Sequence, residues 1–406
     1  MGNIRIARQP IYDRDLQVYA YELLYRAGAA NHSGADTDSD FDGDRATAAL
    51  LGTAFGDLGI ERLVGDKRAF VNFTRNLLVG GKIRELPPEV IVIEVLEDIE
   101  PEPAVIQALK ELAAAGYVIA LDDFEFREEL APMVDLADII KVDISPMDQE
   151  TLRYNAKRLG EWPVQLLAEK VETPEEYELC KSLGFHLFQG YFFCRPRVVS
   201  SRRPTANSQA LIQLMSRLMD PKVTFQELAE LAAQDPSLSY RLLKLVNSAH
   251  FNLARRVESL QQAMRYLGLK QLRTWISFMM FAGMQDKPDE LLAVSLTRAR
   301  MCELIAGDLG RDEPNTYWTM GLLSTLDAFL DMEMSDVLKQ LPLSNSLNAA
   351  LLNGEGEKGA VLRCVIGHER ADWTVPEGVT LSDEQIQHAY QTALGWAQEI
   401  VTTTRL

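Results

Sequence analysis

VIVIEVLEDIEPEPAVIQALKELAAAGYVIALDDF, residues 90–124, decides the fold. Its two ends are Val/Ile/Leu runs of strand length, the first closing on Glu94 and the second on Asp122 and Asp123. Between them Pro101 and Pro103 open an amphipathic helical stretch that Gly116 stops. Strand, helix, strand is the repeating unit of a parallel sheet. The same ending recurs through the first half of the chain. It places Glu22 in VYAYELLYR (18–26), Asn72 in AFVNF (69–73), Lys141 and Asp143 in ADIIKVDI (137–144), and Glu169 and Glu172 in VQLLAEKVE (164–172). IRIARQPIYD (4–13) and FHLFQGYFF (185–193) bring the strand candidates to eight. Only a short polar turn separates the first two, which predicts an antiparallel hairpin. A helix is expected from Arg45 through Leu58.

Eight strands with intervening helices fit an α/β modified TIM-like barrel whose first strand is antiparallel. The rival, an open doubly wound sheet, would gather its ligand groups at one switch point instead of spreading them over six strands. In a parallel barrel the C-terminal strand ends share one face, so the carboxylates would converge there. Hard oxygen donors from separate strands are what Mg²⁺ or Mn²⁺ requires, with a lysine beside them for a phosphate oxygen or a water. Taken singly, each residue has a plainer reading: a solvated carboxylate, a turn or helix cap at Asp122-Asp123, a surface lysine at 141. Only convergence on one face overrides it.

With RQPIYD and YELLYR the resemblance becomes specific: residues 4–196 resemble EAL domains, barrel enzymes that hydrolyse the bacterial messenger cyclic di-GMP. The resemblance implies a two-metal Mg²⁺ or Mn²⁺ site held by Glu22, Asn72, Glu94, Asp122 and Asp123. It implies Glu169 as base and Lys141 as its partner on the water. Gln9, Arg26, Glu172 and Gln189 would contact substrate, and the product would be linear pGpG. A homodimer through the barrel is compatible with the resemblance. Three departures stand out. The signature triplet reads Glu-Leu-Leu; Lys170 replaces the glycine of the AEGVE motif; and after Asp123 the chain reads EFREELAPM (125–133) where the family carries a GTGYSS-like loop that Glu97 would tether. Weak or conditional turnover follows as an expectation. The alternative is a catalytically inactive cyclic di-GMP receptor or protein-interaction scaffold.

The expected division is a barrel domain at 1–198, a linker at 199–207 and an all-helical domain at 208–406. The linker lies within the basic, proline-containing stretch RPRVVSSRRPTANS (195–208). Beyond it the strand signal fades and helix starts take over: a capping box at Thr224 and Glu227, Asp235-Pro236, and Ser259 with Gln262. DPSLSYRLLKLVNSAHF (235–251) and SLQQAMRYLGLKQLRTW (259–275) resemble the HDOD domain, a helical relative of HD phosphohydrolases. Where those relatives carry a His-Asp metal pair, this chain reads GLLST, with Ser324 and Thr325, and His250 and His368 have no His or Asp neighbours at ligand spacing. No metal cofactor is therefore expected in this half, which is read as an interaction module for an unknown protein partner.

A net charge of −18 over 406 residues argues against DNA or RNA as partner. Cys180, Cys194, Cys302 and Cys364 are scattered and read as free thiols. MGNIRIARQP lacks an apolar signal core, Ile6 replaces the Ser or Thr of a myristoylation site, and WISFMMFAGM (275–284) is too short to span a bilayer. The expectation is a cytoplasmic protein with no membrane partner. Asp38, Asp40, Asp42 and Gly43 mimic the start of an EF-hand loop, but Ala49 stands where a bidentate Glu is needed. A flexible solvated loop with a helix cap is the preferred reading of that segment.

Overall fold

The computed structural model describes residues 4–27, 39–52, 54–55, 59–124, 126–195 and 287–405, with isolated positions between 212 and 284. Two compact units divide the chain, one of residues 1–193 with 369–372 and one of the remainder.

In the first unit β1 (Ile4–Tyr12) and β2 (Val18–Ala27) form the predicted hairpin. Its turn is held by Asp13 Oδ1, which accepts from the N–H groups of Asp15 and Gln17 at 2.9 Å each. β3 (Arg68–Phe73), β4 (Ile91–Val95), β5 (Val118–Leu121), β6 (Ile139–Asp143), β7 (Gln165–Glu169) and β8 (Leu187–Gln189) follow, and the eight strands close in sequence order. β1 runs antiparallel to both β2 and β8, and every other pair is parallel. Closure excludes the open sheet.

Helices connect the strands: α1 (Ser39–Gly52) and α2 (Ile60–Val64) before β3, then α3 (Arg75–Gly80), α4 (Pro103–Ala114), α5 (Ala131–Val134), α6 (Gln149–Leu159) and α7 (Pro174–Ser182). Local chemistry sets their ends. Pro103 opens α4, and Gly116, at φ 88°, turns the chain out of it into β5. Asp148 caps α6 through the Thr151 N–H at 2.8 Å, and Thr173 with Glu176 forms a capping box on α7. α1 corrects two expectations. It begins at Ser39 rather than Arg45, so Asp40, Asp42 and Gly43 lie on a helix, not on a loop or cation-binding turn; past Gly52, residues 54–55 are helical, while 53 and 56–58 lie outside the described residues. Acidic residues in a first helical turn are favoured by the helix dipole, which the loop reading overlooked. Asp38 lies outside the described residues.

One residue from each strand fills the barrel: Ile11, Ala20, Phe70, Val92, Ala120, Ile139, Leu167 and Leu187, none more than 2% exposed. Small and large side chains share this layer, so it packs as a core and leaves no channel.

The second unit is helical among its described residues, with α8 (Asp289–Asp308), α9 (Pro314–Leu323), α10 (Leu326–Leu330), α11 (Met334–Leu338), α12 (Asn345–Asn353), α13 (Gly356–Glu369) and α14 (Asp383–Arg405). The Thr224–Glu227 capping box is present, with the Thr224 N–H donating to Glu227 Oε2 at 2.7 Å. Asp235-Pro236, Ser259 and His250 lie outside the described residues. Asn247 ties its segment to residue 257: its amide donates to the Val257 carbonyl at 2.8 Å and accepts the Val257 N–H at 2.7 Å. Ser324 and Thr325 bond locally. Thr325 Oγ1 meets Ser295 Oγ on α8 at 2.6 Å, and Ser324 Oγ donates to the Gly321 carbonyl at 2.7 Å. At Gly321 a Cβ would collide with the α8 backbone, 2.6 Å from Ala299 Cα, so α8 and α9 touch where only glycine fits. All four cysteines are free thiols. Among the described residues no helix is long and apolar enough to cross a membrane.

Candidate active site

Side chains alternate across a strand, so the residue two positions beyond each core-layer residue faces the barrel interior again. From Ala20, Phe70, Val92, Ala120, Ile139, Leu167 and Leu187 that step reaches Glu22, Asn72, Glu94, Asp122, Lys141, Glu169 and Gln189. On antiparallel β1 the step runs backwards, from Ile11 to Gln9. A polar layer, one residue per strand, therefore caps the apolar one.

Lys141, 1% exposed, is its hub. Its Nζ lies 2.7 Å from Asp122 Oδ1, 2.9 Å from Glu169 Oε1 and 3.4 Å from Glu22 Oε2, and it also pairs with Glu94 Oε1. Gln189 Nε2 donates to Glu22 Oε2 at 2.6 Å and to Gln9 Oε1 at 3.0 Å. After Gln189 the chain turns at Gly190, φ 147°, where any Cβ would strike the Val171 backbone. That contact keeps the ends of β7 and β8 together and accounts for the FQG sequence.

Charge and burial oppose each other here. Burial pushes the Glu94 carboxyl well above its ordinary range, reinforced by Glu22 and opposed by Lys141. Glu169 is pushed up to about 8 by burial, against the pull of Lys141, with Asp122 and Glu22 adding to the rise. Burial also works against the Lys141 ammonium, but Glu22, Glu94, Glu169 and Asp122 outweigh it and hold its proton far more tightly than an ordinary lysine does.

The remaining predicted residues lie on the rim. Asp123 is exposed overall, at φ 39°, and partial desolvation of its carboxyl, with the charge of Asp122, raises its pKa. Glu172 is exposed beyond β7, where its N–H donates to Glu176 Oε2 at 2.8 Å. The backbone of Arg26 belongs to β2, while its side chain lies outside the described residues. Two rim features were not assigned to the site from sequence. Lys170, at φ 55°, forms an ion pair with Asp143 across the ends of β6 and β7. Phe126, in the altered loop, packs against Trp162 with centroids 5.3 Å apart and the rings tilted by 39°, and the Arg158 guanidinium lies over the Phe126 ring, 4.0 Å from its centroid. The loop is also tied by Arg127 to Glu100 at 3.4 Å, while Glu97 is exposed. Just before it, the N–H of buried Phe124 donates to the Lys141 carbonyl at 3.0 Å. Two aromatic residues on separate elements, Phe126 and Trp162, gave no local signal; Lys170 did, as the residue replacing a glycine.

Models of two families match the chain in tandem, the EAL domain at residues 61–196 and the HDOD domain at 205–380. The uncharacterized protein YuxH of Bacillus subtilis is 36% identical over 98% of both chains. The cyclic di-GMP phosphodiesterase CdgJ of Vibrio cholerae is 33% identical over 97% of this chain and 92% of its own. The chain belongs to the EAL–HDOD family. Its closed barrel and helical second half are the architecture which that family assignment calls for. Among solved structures, the manganese/cyclic di-GMP complex of Klebsiella pneumoniae BlrP1 is similar, with 24% identity, a TM-score of 0.38, and 48% of this chain and 58% of that one covered. Gln9, Glu22 and Arg26 precede the stretch matched by the EAL model, whereas the full-length relatives extend over them.

The donor set of this EAL barrel suits a divalent cation. Asn72 Oδ1, Glu94 Oε2 and Glu169 Oε2 are buried with no hydrogen-bond partner among the described residues. Buried oxygens left unpaired are costly, and these are hard donors carried by residues of the acidic layer. No three acidic, His or Cys side chains among the described residues are already disposed to hold a metal, since the carboxylates converge on the Lys141 ammonium. That ammonium offsets one of the negative charges gathered there, and the surplus favours a further cation.

Proposed function

We propose that the barrel hydrolyses cyclic di-GMP to linear pGpG in a metal-dependent reaction, with the HDOD half as a regulatory and interaction module. The observation that carries this reading is the buried polar layer centred on Lys141, with Glu169 paired to it and unpaired oxygens of Asn72, Glu94 and Glu169 inside it. The naming of CdgJ as a cyclic di-GMP phosphodiesterase, at 33% identity along almost the whole chain, supports the same activity. Glu22, Asn72, Glu94 and Asp122 would hold one Mg²⁺ or Mn²⁺, and Asp122 with Asp123 a second. When bound, such ions lower the pKa of water and offset phosphate charge.

The chain's own residues do the rest. Glu169, with its carboxyl held near neutrality, takes the proton of the attacking water. Lys141, fixed by its carboxylates, orients that water against phosphorus. The new P–O bond forms as the bond to the ribose 3′-oxygen breaks. Gln9, Arg26, Glu172 and Gln189 would position the nucleotide. The runner-up is a non-catalytic receptor or scaffold, which the missing Gly/Ser loop suggests; the aromatic anchoring of Phe126 favours catalysis, since it restrains the segment leaving Asp123 by another means. The domain division at 1–198, 199–207 and 208–406, a cytoplasmic location, a protein partner of the HDOD half and pairing of barrels complete the proposal. Calorimetric titration of full-length Glu169→Gln with cyclic di-GMP in Mn²⁺ tests it. One nucleotide per barrel is expected, and no heat of binding would contradict the reading.

A further inference from the structure

Lys170 directly follows Glu169 and stands in the left-handed region at φ 55°, a conformation glycine adopts freely and a lysine only at a cost. Its neighbours suggest what offsets that cost. Asp143, the register partner of Glu169, is clamped by the N–H and hydroxyl of Ser145, which donate to its Oδ1 at 2.8 and 2.7 Å. This leaves Oδ2 for the Lys170 ammonium. The same ammonium acts electrostatically on Asp123 and Glu169. A cation anchored on Asp143 thus sits at the rim, close enough to act on Asp123 and Glu169, while Lys141 occupies the centre.

We infer that Lys170 sets the metal stoichiometry of the barrel, weakening the second divalent ion, the one Asp122 and Asp123 would share, relative to the first. The inference rests on the metal reading of the proposed function. Asp143 holds the Lys170 ammonium, and Asp123 lies within its field, so a second divalent ion meets a like charge beside one of its own ligands. Repulsion between a single and a double positive charge several ångströms apart, in a medium between protein and water, weakens binding about tenfold to a hundredfold. The Lys170 side chain is 56% exposed, which places the effect toward the lower figure.

Titration of the full-length protein with Mn²⁺, followed by electron paramagnetic resonance, reads both ions without turnover. Free ion gives the six-line signal, and a spin-coupled pair reports double occupancy. The native protein should fill one site well before the second. Lys170→Gly and Lys170→Gln should both bring the second constant about tenfold or more closer to the first, and Lys170→Arg should not. The Gln variant keeps the side chain at the strained position, so it separates charge from backbone strain. Equal filling of two sites in the native protein, or a Lys170→Gln second constant matching the native one, would overturn the inference. A first Mn²⁺ that binds normally in that case leaves the metal reading standing, whereas no Mn²⁺ bound by any variant would defeat that reading and this inference together.

Discussion

Glu169 sits where burial and a neighbouring ammonium pull its proton in opposite directions, and burial prevails, to about 8. Two outcomes follow at this scale. Glu169→Gln should cut hydrolysis by about 10²–10⁴-fold while cyclic di-GMP still binds, because the amide keeps the shape and loses the base; a variant turning over at the native rate removes Glu169 from the mechanism. The second concerns pH. Below about 8 the carboxyl is protonated, and a cation held beside it by the neighbouring carboxylates favours its ionised form, so Mn²⁺ affinity should rise with pH and level off above about 8. Folding stability runs the other way with pH. The native state holds this proton more tightly than an unfolded chain with its carboxyl near 4.5, so the stabilisation is present below 4.5 and is lost as pH rises through about 8. An Mn²⁺ affinity that does not change between pH 6 and 8 would contradict this. The acidic identities were legible in sequence because each ends a strand-like run. That Lys141 would take four carboxylates at once was not, since the partners lie on four other strands or their ends.

At the scale of elements, the two-residue step from apolar layer to polar layer ties the chemistry to the packing beneath it. Phe70→Ala empties part of the core layer two residues below Asn72 and should cost about 3–5 kcal/mol of stability, measured by denaturant unfolding. The altered loop gives a different test. Phe126→Ala removes the contacts to Trp162 and Arg158 and frees the segment after Asp123, so turnover should fall about tenfold or more at nearly unchanged unfolding midpoint. Phe126→Tyr should restore it, and an Ala variant with native turnover and native Mn²⁺ affinity would show that the loop needs no such anchor. Strand count, order and the antiparallel start were readable because alternation and chain punctuation are local. The boundaries of α1 were not, because the acidic run at 36–44 suits both a solvated loop and a first helical turn. The Phe126–Trp162 contact is formed by two elements that sequence alone does not bring together.

For the whole molecule, two halves with different chemistry share one chain. Ser324 and Thr325 spend their hydroxyls on helix contacts, and neutral hydroxyls cannot replace a His-Asp metal pair. Full-length protein with Glu94→Gln, which weakens the barrel site, should therefore carry no tightly held Fe, Mn or Zn after dialysis, as read by elemental analysis; one stoichiometric ion per chain would place a metal in the helical half. The HDOD assignment was legible in two motifs, but several of their residues, His250 among them, lie outside the described residues, and the partner of this half is written in no local pattern. The central claim is hydrolysis by the barrel. Purified full-length protein, incubated with cyclic di-GMP and Mn²⁺ or Mg²⁺ beside its Glu169→Gln variant, should yield linear pGpG from the native protein alone. Cyclic di-GMP recovered intact from the native protein, with both ions tried, would contradict it.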